Sequence, residues 1–189
     1  SEVYCEPTSM TASTAVFIDY VKFNTTPAFN VPSGNVGYED NTAHVIEMTP
    51  SEAYTLNIGA GNPTVAAAKR LDIWIDYNQD GDFDPVNELY LGFGTNNNTS
   101  KVVSANALPG TTKMRVALKA TNVASQPCDT FTDGEVEDYT VKFSPVYCEP
   151  TAMTASTAVF IDYVKFNTTP AFDFPSGNVG YEDNTAQVI

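Results

Sequence analysis

Positive charge is scarce in this chain of 189 residues: 9 lysines and arginines stand against 23 aspartates and glutamates, a formal net charge of −14 at pH 7. Nucleic acid and anionic lipid are bound through a positive face, so neither is expected as a partner. The carboxylate excess suits a protein that collects divalent cations, or one kept soluble by charge. No apolar run reaches the roughly 18 residues of a spanning helix, so no membrane insertion is expected. No signal-peptide pattern opens the sequence, and Ser1 reads as the start of a processed or excised form. Histidine is nearly absent, with His44 alone. Amphipathic helix patterns are also lacking; the best candidate, Thr64–Arg70, is about two turns long. Cysteine is sparse and odd in number: Cys5, Cys128 and Cys148.

What the chain does contain is a long internal repeat. Val3–Ile46 recurs as Val146–Ile189 at an offset of 143, with 40 of 44 positions identical. The differences are Ser9/Ala152, Asn30/Asp173, Val31/Phe174 and His44/Gln187. A period of that size is a whole domain, not a solenoid turn. Residues 1–145 therefore read as one complete unit and 146–189 as the first third of a second, near-identical one. The join at Phe143-Ser144-Pro145 is too short for a flexible linker. Residues 146–189 hold too few strands to fold alone, so the segment is expected to pack on a partner, either a neighbouring repeat or another copy of the chain. Each unit owns two cysteines, and a bonded pair implies an oxidising, extracytoplasmic setting.

Strand signals dominate. Tyr and Phe together number 21, which favours pleated structure. Strands are expected over Ala15–Phe23, Ala53–Ile58, Leu71–Tyr77, Glu88–Phe93, Ser100–Ser104, Lys113–Lys119 and Glu135–Phe143. Leu-Asp-Ile-Trp-Ile-Asp-Tyr is apolar on both faces, as a central strand would be. Turns are expected at Pro32-Ser33-Gly34, Gly59–Pro63, Gly94–Asn98 and Pro109-Gly110. This rhythm predicts an all-β antiparallel sandwich.

Asp76-Tyr77-Asn78-Gln79-Asp80-Gly81-Asp82-Phe83-Asp84 carries oxygen side chains at positions 1, 3, 5, 7 and 9, with glycine at 6. That is calcium-loop spacing, because alternate residues of a tight loop can all point at one hard ion. Position 12 is Asn87, and the bidentate candidate Glu88 falls one residue late. The expected ligands of Ca2+ are Asp76, Asn78, Asp80, Asp82, Asp84 and Glu88, in a loop set between strands. Without a cation these carboxylates repel one another.

Further on, Cys128 precedes Gly134-Glu135-Val136-Glu137-Asp138, the signature of the GEVED domain. The Tyr4-Cys5 opening, Ile18-Asp19-Tyr20-Val21, Trp74-Ile75-Asp76 and Met114-Arg115-Val116 resemble that family in order, over residues 3–143. The resemblance implies an immunoglobulin-like β-sandwich module of secreted and cell-surface bacterial proteins, used in tandem arrays or beside secreted hydrolases, without catalytic activity. In the signature, Glu135 and Glu137 share a strand face with Tyr139 and enter the core, where carboxylates need partners. Arg115 and a bound cation are the candidates.

Two bridges are open to the repeat, Cys5 to Cys128 or Cys128 to Cys148. The second requires the chain to return along the whole Glu135–Phe143 strand, about 30 Å, within few residues. The family pattern also implies Cys5 to Cys128. No serine or cysteine has a base beside it in sequence, and the repeat replaces His44 by Gln187, so no enzyme is expected. The expected role is a calcium-binding repeat of a large cell-surface adhesin or filament-like stalk, with surface glycans or proteins as further partners. The alternative is an accessory, glycan-binding module of a secreted hydrolase.

Overall fold

The structure, a computed structural model, describes residues 4–7, 10–61, 69–94, 98–146, 154–157, 160–166, 172–176, 179 and 181. The chain divides into two compact units, Ser1–Val146 and Tyr147–Ile189. Residues 64–68 of the helix candidate, residues 95–97 of one expected turn and Cys148 lie outside the described residues.

Among the described residues, the first unit holds nine strands: β1 (Phe17–Phe23), β2 (Phe29–Pro32), β3 (Tyr38–Met48), β4 (Ala53–Gly61), β5 (Arg70–Ile75), β6 (Leu89–Gly94), β7 (Asn98–Val102), β8 (Gly110–Lys119) and β9 (Gly134–Phe143). Among the described residues there is no helix. One sheet has the order β2-β1-β4-β7 and the other β3-β9-β8-β5-β6. The expected all-β sandwich is therefore present. One pairing departs from a wholly antiparallel plan: β3 runs parallel to β9, matching Tyr38 to Val136 and Met48 to Phe143. No hairpin joins these two strands, which lie far apart in sequence, so nothing local forces them antiparallel.

Alternation places the core. Met114, Val116 and Leu118 of β8 and Tyr139, Val141 and Phe143 of β9 pack with Ile18, Val21, Leu56, Ile58, Ile73 and Ile75, joining the two sheets face to face. Each such side chain contributes roughly 1.5–3 kcal/mol by leaving water. The opposite face of the five-stranded sheet is covered as well. There Met10, Trp74, Phe83, Ala117 and Val136 form a second, smaller cluster, with Tyr4, Tyr38 and Phe131 against it. β5 lies between β8 and β6 and is covered on both sides, as its two-faced apolar sequence predicts.

Two strands escape the sequence pattern. β2 is four residues long on a sheet edge and ends on Pro32, where an edge tolerates the missing donor. β3 is polar and interrupted, with a register shift between Asn41 and Val45. β4 also runs on through Gly59 and Gly61, expected as a turn. A Cβ on Gly59 would sit 2.4 Å from the Tyr20 ring, and one on Gly61 would sit 2.1 Å from the Phe17 ring. These glycines make room for aromatic rings across the strand pair.

The second unit contains the hairpin β10 (Tyr163–Phe166) and β11 (Phe172–Pro175). Its register, Tyr163 to Pro175 and Phe166 to Phe172, is that of β1 and β2 shifted by 143 residues. The Ser176 N–H to Asp162 carbonyl bond of 2.8 Å repeats the Ser33 to Asp19 bond of 2.9 Å. The same local sequence thus makes the same hairpin twice. Burial differs: Ile18 and Val21 are 0% exposed, whereas Ile161 and Val164 are 65% and 39% exposed.

Candidate functional site

The five signature residues have five separate physical tasks on β9. Gly134 stands opposite Lys119 of β8, and a Cβ there would meet the Leu118 carbonyl oxygen at 2.1 Å and Lys119 Cα at 2.7 Å. Both obstacles are backbone, so Gly134→Ala should cost about 1–3 kcal/mol through forced overpacking. Chemical denaturation would read this as a lowered midpoint at unchanged slope; an unchanged midpoint would contradict it. Val136 belongs to the smaller cluster, together with Trp74 and Phe83.

Glu135 and Glu137 are completely buried on the sandwich side. Glu135 accepts the backbone N–H groups of Ile18 at 2.7 Å, Val36 at 2.8 Å and Gly37 at 3.2 Å. It thereby pins the start of β1 and the approach to β3 to β9. Glu137 accepts the Tyr139 hydroxyl at 2.6 Å and touches Ser33 Oγ, which also lies 3.0 Å from Glu39. One serine proton cannot serve two carboxylates. A protonated Glu137 resolves this by donating to Ser33, which then donates to Glu39. Burial, above all, pushes the Glu137 carboxyl up to about 8, with Glu135 and Glu39 adding repulsion.

A folded-state value above the ordinary carboxyl range means that the native state holds the proton more tightly. This contribution to stability is complete below about pH 4.5 and is lost as pH rises towards 8. Between pH 5 and 8, denaturation should show the native protein weakening by up to about 1.4 kcal/mol per pH unit relative to Glu137→Gln. Parallel pH profiles for the two proteins would contradict a neutral Glu137.

Arg115 does not partner either glutamate, contrary to the sequence expectation. It lies between Met114 and Val116, so the pleat turns it to the other face of the sheet. There its Nε and Nη2 donate to the two oxygens of Asp138, each at 2.7 Å, with both side chains fully buried. Nη1 donates to the Pro127 carbonyl at 2.8 Å and lies 3.4 Å from Cys5 Sγ. The guanidinium stands 5.1 Å from the centre of the Phe83 ring. Asp138 also accepts from the Tyr38 hydroxyl at 3.1 Å and from Lys113 at 3.4 Å.

Cys5 and Cys128 form the disulfide, with Cα atoms 5.6 Å apart. The pairing is the expected one. Tyr4 lies 3.4 Å from Thr112, which pairs with Val141 near the end of β9.

The acidic loop begins where β5 ends. Asp76 is fully buried; its Oδ2 accepts from the Tyr4 hydroxyl and from the Gly81 N–H at 3.2 Å, while its Oδ1 has no hydrogen-bond partner. Gly81 has φ +91°, the turn that its place in the loop requires. Asn78 Nδ2 donates to Asp80 at 2.7 Å, and the Asp80 and Asp82 N–H groups bond to the side chains two residues before them. Asp84 is occupied differently: it caps the next turn, accepting from the N–H groups of Val86 and Asn87 at 2.8 and 2.9 Å. Those bonds hold its carboxyl below the usual range.

Glu88 is buried beneath the loop and accepts from the N–H groups of Tyr77 at 3.0 Å and Asp84 at 2.8 Å. Its carboxyl is raised by burial, with Asp76 and Asp80 contributing repulsion. Asp82 is raised by Asp80 first and then by slight desolvation, Asp76 and Asp84. Among the described residues, no three His, Cys, Asp or Glu side chains gather as a ready metal cluster.

The loop nevertheless fits a hard cation in its chemistry. It offers a buried carboxylate oxygen without a partner, further oxygens on alternate residues, and mutual repulsion that a cation would relieve. Sequence reasoning missed the parts around it. Tyr4 stacks on Phe83 with ring centres 4.9 Å apart, and Lys113 lies over the Tyr4 ring at 4.7 Å. Asp72, four residues before Asp76, is also buried, bound to Arg70 at 2.7 Å and to the Ser125 N–H at 2.8 Å. The Leu-Asp-Ile-Trp-Ile-Asp alternation, which puts Asp72, Trp74 and Asp76 on one face, was the available signal.

Fold and site define a disulfide-braced β-sandwich module whose signature strand lies under an acidic loop. Residues 70–142, from β5 nearly to the end of β9, match the family model of the GEVED domain. Neither the curated proteins nor the solved structures contain a match to the chain.

Proposed function

We propose that the chain is a non-catalytic, calcium-binding repeat module that works outside the cell, as part of a large surface adhesin or a filament-like stalk. The observation that carries the calcium reading is Asp76, buried at the head of the loop with one oxygen unpartnered. Asp76, Asn78, Asp80 and Asp82 would supply oxygens, and Glu88 would close the loop from below. The ion would neutralise the clustered carboxylates and tie the end of β5 to the start of β6.

An extracellular setting is supported by the Cys5–Cys128 bridge. A stalk or adhesin is supported by two near-identical blocks in one chain, whose natural partners are neighbouring repeats or further copies. A role without catalysis is supported by His44, exposed on β3 and replaced by Gln187 in the repeat.

Calorimetric titration of metal-free protein tests the reading. One calcium ion per chain is expected, in the roughly 0.1–1 mM range of extracellular modules or tighter. Asp80→Ala should remove most of the signal. Absence of uptake by both calorimetry and equilibrium dialysis would overturn it.

A further inference from the structure

We propose that Tyr4 is a positioning residue for the cation loop and that the Cys5–Cys128 disulfide holds it in place, so that calcium affinity depends on the redox state of that bridge. This rests on the calcium reading above. Residues 4–7 belong to no strand, so no sheet pairing fixes Tyr4. Its hydroxyl nevertheless donates to Asp76 Oδ2, and its ring rests on Phe83 inside the acidic loop. The anchor is the next residue: Cys5 is bonded to Cys128 across 123 positions of sequence. The same bridge is held from below by Arg115, which touches Cys5 Sγ and the Pro127 carbonyl and faces Phe83.

The latch acts on the ligand that matters most. With Tyr4 and Gly81 both donating to Oδ2, the Asp76 carboxylate is fixed in orientation and Oδ1 is left for the ion. A phenol keeps its proton at physiological pH, so Tyr4 remains a donor to Asp76. A dithiol reductant would supply two electrons and two protons, giving two thiols here and becoming a cyclic disulfide itself. Tyr4 would then depend on its own weak contacts, and Asp76 would lose part of its orientation.

The test is calorimetric calcium titration of the full chain in four forms: oxidised wild type, dithiol-reduced wild type, Tyr4→Phe, and Cys5→Ser/Cys128→Ser. Melting temperatures in chelator are recorded alongside. Tyr4→Phe keeps the ring and removes only the donor. It should weaken calcium binding about tenfold, while in chelator the protein still melts cooperatively as a folded unit. Reduction and the double serine variant should weaken binding at least as much. Wild-type affinity in Tyr4→Phe and in the reduced protein would overturn the latch, while intact wild-type binding that Asp80→Ala abolishes would leave the calcium reading standing. No calcium uptake by the oxidised wild type would overturn both.

Discussion

Asp138→Ala should be the most damaging single substitution in the chain, lowering stability by about 3–5 kcal/mol. The Arg115 guanidinium is fully buried and spends two of its donors on this one carboxylate. Removing Asp138 leaves a buried charge whose remaining partners are the Pro127 carbonyl, the Cys5 sulfur and the Phe83 ring. The pair itself need not be stabilising, because two charges lose their hydration to make it. Arg115→Met/Asp138→Leu should therefore recover much of what Asp138→Ala loses. Urea denaturation of the two variants distinguishes the cases. A loss under about 1 kcal/mol for Asp138→Ala would show that the pair is not the anchor of this face.

Cys5→Ser/Cys128→Ser should lower stability by about 2–5 kcal/mol in chelator. The bridge closes a loop of 123 positions and so removes much freedom from the unfolded chain. It also clamps Tyr4 and the segment before β9 over Arg115, which no strand pairing does. Thermal melts under oxidising conditions, wild type against variant, read the effect; melting temperatures within a degree of each other would contradict it.

Much of this architecture was legible because period-2 alternation survives in the strands that build the core. β1, β4, β5, β8 and β9 each carry an apolar face, and Asp76–Glu88 carries its oxygens at alternate positions. β3 was not legible, because Tyr-Glu-Asp-Asn-Thr-Ala-His resembles a turn and its register shift breaks the pattern. Its pairing is decided by distant residues of β9. The face of Arg115 was legible and misread: a residue between Met114 and Val116 must point away from them, toward Asp138 and not toward Glu135 or Glu137. The roles of Tyr4 and Phe83 could not be read at all. They arise from tertiary contact between the opening segment and a loop more than seventy residues away.

The central claim is that the Asp76–Glu88 loop is a calcium site. Thermal melting of protein first shown to be metal-free, in millimolar calcium and in chelator, tests it most directly. An ion bound only by the native state adds roughly 2.7 kcal/mol at a hundredfold excess over Kd. The melting temperature should therefore rise by several degrees with calcium, and Asp80→Ala should erase most of the rise. Equal melting temperatures with and without calcium would contradict the account.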